Sequence, residues 1–248
     1  MIIGRMRKHL AQQDWIAITL DVVVVLVSIL LAFQIERWAD ELRSRSLEQD
    51  YLLRLKQDLA EEVVRMNQAL DYAEDRIQAA KFLAQVINDP SIVVESPEKL
   101  PWALETATWR SYPQINAFVF GELQNSGNLT LIRSKSLRRN LTNHYTILQH
   151  YSHVGMDLQA QHQFEQFTAG LLTIDELVAV ENNDWGSESY SISAARALEI
   201  ADDFSQIGSA IALLPSLVQH HTFNQKVMDE SKERAQGIIL QIDALLNL

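Results

Sequence analysis

The chain has 248 residues, with 21 lysines and arginines against 32 aspartates and glutamates, for a formal net charge of −11. It has no cysteine, which excludes a disulfide framework and thiolate chemistry. Residues 1–38 are slightly basic, with Arg5, Arg7, Lys8 and Arg37 against Asp14, Asp21 and Glu36; the acidic remainder would repel nucleic-acid phosphates.

Residues 1–14 form a short basic N-terminus. Ile2, Ile3, Met6 and Leu10 recur at helical spacing between basic residues, which fits either a short interfacial helix or a frayed basic tail. Residues 15–38 follow as a transmembrane segment. Ile16 to Ile35 is an apolar run of 20 residues. A helix of that length rises roughly 30 Å, the thickness of a bilayer's hydrocarbon core. Trp15 and Trp38 flank it, where indole rings favour the headgroup level. The run is too long for a signal peptide, and Gln34, Glu36, Arg37 and Trp38 offer no small-x-small cleavage site, so an uncleaved signal anchor is expected. Arg5, Arg7 and Lys8 favour a cytoplasmic N-terminus. Residues 39–248 then form an acidic domain outside, in the periplasm of a bacterium whose inner membrane holds the span.

Asp21 lies inside the predicted span, where an ionisable group costs roughly 2–3 kcal/mol at the bilayer centre and less near its edge. It fits a polar contact with another transmembrane helix, a proton-linked site, or a carboxylate wetted at the interface. Ser28 is seven residues on and shares its face; Gln34 is a weaker signal of the same kind. The Asp21–Ser28 face is the expected helix–helix contact.

No helix breaker occurs between the span and Pro90. Leu52, Leu59, Val63, Met66, Leu70, Ala73, Ile77, Ala80, Ala84 and Ile87 follow three- and four-residue steps, an apolar seam. One long helix to about Asn88 is predicted, with a bend near Trp38 to Glu48. Its 52–87 seam could pack within the chain or between chains. Asp89 to Leu100 reads as a loop, and Ser96-Pro97-Glu98 as the start of a short helix to about Arg110. Asn116 to Gln124 is a second short helix, closed by Asn125-Ser126-Gly127-Asn128 with glycine as a left-handed cap. Ser134 caps a long helix from Lys135 to about Val180. Glu181 to Ser191 is a loop. Ser193 caps a third helical stretch, interrupted near Gly208 and bent or split at Pro215. The predicted fold is all-α: an N-terminal transmembrane helix continuing into an antiparallel helical bundle.

Several groups carry candidate chemistry. His150, His153 and Asp157 share one helix face, and His220 and His221 lie on a later helix, so together they are weak candidates for a divalent metal. Neither His-Glu-x-x-His nor paired Glu-x-x-His is present. Asn125, Ser126, Gly127 and Asn128 read as a tight interhelical turn, with ligand binding as the alternative. Trp102, Trp109, Tyr112, Phe118 and Phe120 lie between the two long helices as a satellite core or an apolar pocket. No Gly-x-Ser-x-Gly elbow exists. No catalytic residue and no cofactor are predicted.

The run Ile29-Leu30-Leu31-Ala32-Phe33-Gln34-Ile35-Glu36-Arg37-Trp38 resembles the signature of an uncharacterised family of bacterial single-pass membrane proteins. There an apolar span with an acidic residue near its start ends in Ala-x-Gln-x-x-x-Trp. A Tyr-Leu-x-x-Leu-x-x-Asp-Leu-x-x-Glu run follows, matched by Tyr51-Leu52, Leu55, Asp58-Leu59 and Glu62. A Leu-x-x-Ser-Gly-x-Leu-x-Leu-Ile motif is matched by Leu123, Ser126, Gly127, Leu129, Leu131 and Ile132, and a Leu-Arg-x-x-Leu helix with Tyr by Leu137-Arg138, Leu141 and Tyr145. The resemblance covers roughly residues 20–150 and implies a span with a helical extracytoplasmic domain of unknown function.

The sequence is thus expected to encode a non-enzymatic membrane-anchored scaffold or accessory subunit that works through protein–protein contacts. Its expected partners are the lipid bilayer and a membrane protein or further copies of itself, with no nucleic acid. The alternatives are a sensor-like periplasmic ligand-binding module signalling through a membrane partner, and a metal-dependent enzyme.

Overall fold

A computed structural model describes residues 15–109, 117–154, 159–181 and 191–247, with the backbone alone for 15–21, 152–154 and 181. Helix α1 is Trp15–Asn88, 74 residues, about 110 Å long at 1.5 Å per residue. It contains neither glycine nor proline, so nothing removes a backbone hydrogen bond or frees the chain to turn. The helix runs unbroken through the predicted bend at 38–48. It stops where Asp89 precedes Pro90, because the proline ring pushes the preceding residue out of the helical region. Asp89 accordingly sits at φ −145° and ψ 89°, and its carboxylate accepts from the Ser91 amide.

The shorter helices follow. They are α2 (Lys99–Thr106), α3 (Phe118–Asn125), α4 (Lys135–Val154), α5 (Gln159–Thr168), α6 (Ile174–Glu181), α7 (Ala194–Ser205) and α8 (Gly208–Ile211). Helix α9 (Leu214–Leu246) is long and packs along α1. Lys56 meets Asp243 at 2.5 Å and Gln225 donates to Glu74 at 3.0 Å. Rising numbers on α1 face falling numbers on α9, so the two are antiparallel. Helix α4 runs parallel to α1, as Glu62–His144 and the Glu48–Arg133 bond show. It is antiparallel to α9, with Asn140 donating to Gln241 at 2.9 Å and Tyr151 against Phe223. Among the described residues there is no strand, and the all-α architecture is an antiparallel bundle built on the first helix.

The α1 seam is buried within the chain. Leu52, Leu59, Met66, Ala73, Ile77 and Ala80 are buried, and Val63, Ala84 and Ile87 pack against their clusters. Burying each of the larger side chains among them is worth about 1.5–3 kcal/mol, which is why α9 and α4 settle here rather than leaving the face open.

Besides the bend, two sequence expectations are corrected. The long helix from Lys135 to Val180 does not run through: α5 ends at Thr168 and α6 begins at Ile174, while residues 155–158 between α4 and α5 lie outside the described residues. Thr173 and Glu176 form a capping box: the Glu176 amide donates to the Thr173 hydroxyl, and the Thr173 amide to the Glu176 carboxylate. That start signal overrides the apolar periodicity across Gly170. Ser96 is not the cap of α2. The helix begins at Lys99 after a turn in which the Lys99 amide donates to the Ser96 carbonyl. The third helical stretch is split at Pro215 as expected, between Ile211 of α8 and Leu214 of α9; the proline occupies the first turn of α9, where its missing amide leaves no bond unmade. Ser193 caps α7 as expected, accepting from the Arg196 amide, and Gly127 takes the left-handed conformation at φ 73°.

Candidate functional site

The bundle has two apolar clusters. One joins Leu55 and Leu59 of α1 to Leu137 and Leu141 of α4 and Ile238 and Ile242 of α9. The other joins Leu83 and Val86 of α1 to Leu100, Phe164, Phe204 and Leu217. Within the first cluster and between the two, buried positions turn polar: Glu62 and Arg76 on α1, His144 on α4, and His221, Asn224 and Ser231 on α9. Burying such groups costs several kcal/mol unless they find partners, so a polar layer inside a helical core is the feature that most needs an explanation.

Its centre is the Glu62–His144 pair. Heptad geometry places Glu62 on the buried face between Leu59 and Met66. His144 stands beside it because α4 is parallel to α1. Nε2 of His144 lies 2.8 Å from Oε1 of Glu62, and the two side chains are 0% and 1% exposed. Tyr145 is next to them, its ring stacked on Phe120 at 4.7 Å between centroids. Burial, then the negative charge of Glu62 and Asp58, pushes the Tyr145 phenol well above its usual range, so it stays protonated. Oε2 of Glu62, Nδ1 of His144, the Tyr145 hydroxyl, and Nε and Nη2 of Arg65 are buried with no partner among the described protein atoms. The layer thus holds one tight carboxylate–imidazole contact and unused donors and acceptors inside the bundle.

The second polar level surrounds His221. Its Nε2 donates to the Ala107 carbonyl at 3.0 Å, tying α9 to the end of α2. Burial pushes its pKa down to about 4, helped by the positive charges of Arg76 and His220 and opposed by the Ala107 bond. His220 and His221 pack edge to face, 5.7 Å apart. At the surface, Arg196 reaches Glu176 at 2.9 Å and the Leu171 carbonyl at 3.0 Å. Its guanidinium, with the Thr173 amide and hydroxyl, holds the Glu176 carboxyl down at about 2. This cross-link clasps α6 to α7.

An apolar groove lies at the far end of α1. Ala80, Ala84 and Ile87 face Ile211, Leu214 and Val218 across about 610 Å³, with Lys81 and Gln219 at its edge.

The sequence-derived candidates distribute as follows. Asp21 falls in α1, but its side chain is outside the described residues. Ser28 is exposed and its hydroxyl donates to the Val24 carbonyl at 2.7 Å; Gln34 is exposed. The four turn residues close α3 as a structural unit, with the Ser126 hydroxyl donating to the Glu122 carbonyl and Gly127 supplying the positive φ. The aromatic group does not form one pocket. Trp102 packs on the cluster around Leu83 while Phe120 lies in the cluster around Leu55, because α2 and α3 dock at different heights on α1. Trp109 is half-buried, Phe118 is 73% exposed, and Tyr112 lies outside the described residues. Among the described residues no three histidines, aspartates and glutamates converge on a metal position. His150 packs edgewise on Tyr151, and His220 meets Asn224. The His153 side chain and Asp157 lie outside the described residues.

Sequence reasoning missed the polar layer. Its signal was an acid, Glu62, falling on the buried face of the seam, with His144 a helix turn beyond Leu141 on the apolar face of α4. No protein-family model, no curated protein and no solved structure matches the chain, so its reading rests on its own geometry.

Proposed function

We propose that the chain is a single-span membrane protein that holds an acidic helical bundle rigidly at the extracytoplasmic face and acts by protein–protein contact, as a scaffold or accessory subunit. The observation that carries this reading is the continuity of α1. From Val22 to Trp38 the helix is exposed on every side, with Leu30, Phe33 and Ile35 at 62%, 56% and 65%. An apolar helix exposed all round suits lipid rather than water. Without a break, the same helix then buries one face in the bundle. Span and bundle therefore move as one rod, which positions a binding surface at fixed height and orientation. The ordered motifs that resemble a family of bacterial single-pass proteins support the same topology, with Arg5, Arg7 and Lys8 on the cytoplasmic side.

Carbonate washing and protease treatment test this. The chain is expected to stay with membranes, and protease added to spheroplasts is expected to degrade residues 39–248. Full release by carbonate, or a bundle protected until the membrane is lysed, contradicts the reading.

A second reading, a ligand-binding module signalling through a membrane partner, is favoured by the apolar groove between α1 and α9. A rise in the thermal midpoint of the whole chain on adding long-chain carboxylic acids, whose charge suits Lys81, would support it; no shift across such ligands counts against it.

A further inference from the structure

From the span onward, α1 carries an apolar stripe that none of the described residues covers. Leu31, Leu42, Leu53 and Val64 stand eleven residues apart, and their exposures are 57%, 47%, 56% and 57%. Eleven residues advance a helix by three turns plus about 20°, so these four share one face over about 50 Å. Between them on that face lie Trp38, Ser46, Gln49 and Ala60, all exposed and none charged. One flank, by contrast, carries Arg43, Asp50, Arg54 and Glu61, and the other Arg45 and Lys56. Leu52, Leu55, Leu59 and Met66, which meet the bundle, lie about a third of a turn or more away.

We propose that this stripe is the surface on which a second copy of the chain docks, parallel and in register. The inference rests on the membrane-anchored reading. Two copies inserted with the same topology place identical residues at the same depth, so the stripes of the two chains lie at matching heights and pair when the spans turn them toward each other. The flanking charges are complementary in that arrangement. In parallel in-register helices, a residue on one flank meets the residue five positions later on the partner's opposite flank. Arg45 then meets Asp50, and eleven residues on, Lys56 meets Glu61. The present intrachain partner of Arg45, Glu41 at 2.7 Å, forms a solvent-exposed pair that is weakly held and easily shared, and Lys56, 2.5 Å from Asp243, keeps 40% of its side chain exposed for a second carboxylate. Within the span the same face carries Ser28, small enough for close helix approach. An eleven-residue repeat favours a straight or gently right-handed pairing, matching an unbroken α1.

Because the chain has no cysteine, single substitutions report contacts cleanly. Leu42→Cys, Leu53→Cys and Val64→Cys are placed on the stripe. Asp40→Cys and Leu47→Cys are the controls, both exposed and turned roughly 120° or more from it. Oxidation in membranes with copper phenanthroline is expected to give a species of twice the chain mass at the three stripe positions, at least about fivefold above the controls, since disulfides need Cα atoms within about 7 Å. Equal or absent cross-linking in a chain that resists carbonate washing overturns the pairing and leaves the anchoring intact. A stripe adduct of some other mass overturns the second copy in favour of a different protein. Release of the chain by carbonate overturns the anchoring reading and the pairing with it.

Discussion

Glu62→Ala is expected to destabilise the bundle by about 3–5 kcal/mol, the cost of leaving one member of a buried pair alone. At roughly 2–4 °C per kcal/mol for a domain of this size, the thermal midpoint falls by about 6–20 °C. His144→Ala removes the other partner and is expected to cost a similar amount, because the carboxylate is then buried without its imidazole. The double replacement Glu62→Leu with His144→Leu is expected to recover most of the loss, since no charge is left to desolvate and both side chains extend the cluster around Leu59 and Leu141. A double-mutant cycle should show coupling above about 1 kcal/mol. Losses of less than about 1 kcal/mol in the single variants would mean that water reaches the pair.

The acid sensitivity of the fold follows from His221. Its folded pKa is pushed down to about 4, below the roughly 6.5 of an unfolded histidine. As pH falls through 6.5 the unfolded chain takes up a proton that the folded chain refuses until about 4. Stability therefore falls with falling pH across that window, by about 3 kcal/mol in all, and is unaffected by this group above it. His221→Gln keeps a donor for the Ala107 carbonyl and carries no titrating ring. Its stability should be flatter by that amount between pH 6.5 and 4. Glu176 acts lower: its carboxyl is held at about 2, so its contribution is present above the ordinary glutamate range and is lost as pH falls through 2. The two limbs are separable in urea denaturation followed at several pH values. An unchanged slope between pH 6.5 and 4 in His221→Gln would refute the assignment.

Much of the fold is legible in the sequence because α1 has strong, uninterrupted signals. The absence of glycine and proline, the three- and four-residue seam, and Asp89-Pro90 as terminator each lead to the observed helix. Gly127 and Ser193 are also readable, since a positive φ and a hydroxyl cap are local requirements. The errors arise where two local signals compete. Apolar periodicity ran on through Thr173, but the reciprocal Thr173–Glu176 bonds start a new helix there. Pro215 was legible as a break but not as a first-turn residue, because nothing local says which side of a proline the helix takes. The candidate site was much less legible. Glu62 and His144 are 82 residues apart, and their meeting depends on α4 lying parallel to α1, which a helix-by-helix reading does not specify. Trp102 and Phe120 are close in sequence, yet they fall in different clusters because α2 and α3 dock at different heights. The exposed stripe was hidden by the buried seam on the same helix. Both are apolar and periodic, and only burial separates Leu52, at 3% exposed, from Leu53, at 56%.

The central claim is that this rigid, anchored rod works by holding other chains. The most direct measurement is the mass and composition of the particle extracted in mild detergent from cells expressing the chain at its native level. The account predicts a defined complex containing at least two copies of the 28.3 kDa chain, with any further protein in fixed ratio. A detergent-solubilised, folded monomer with nothing bound would contradict it.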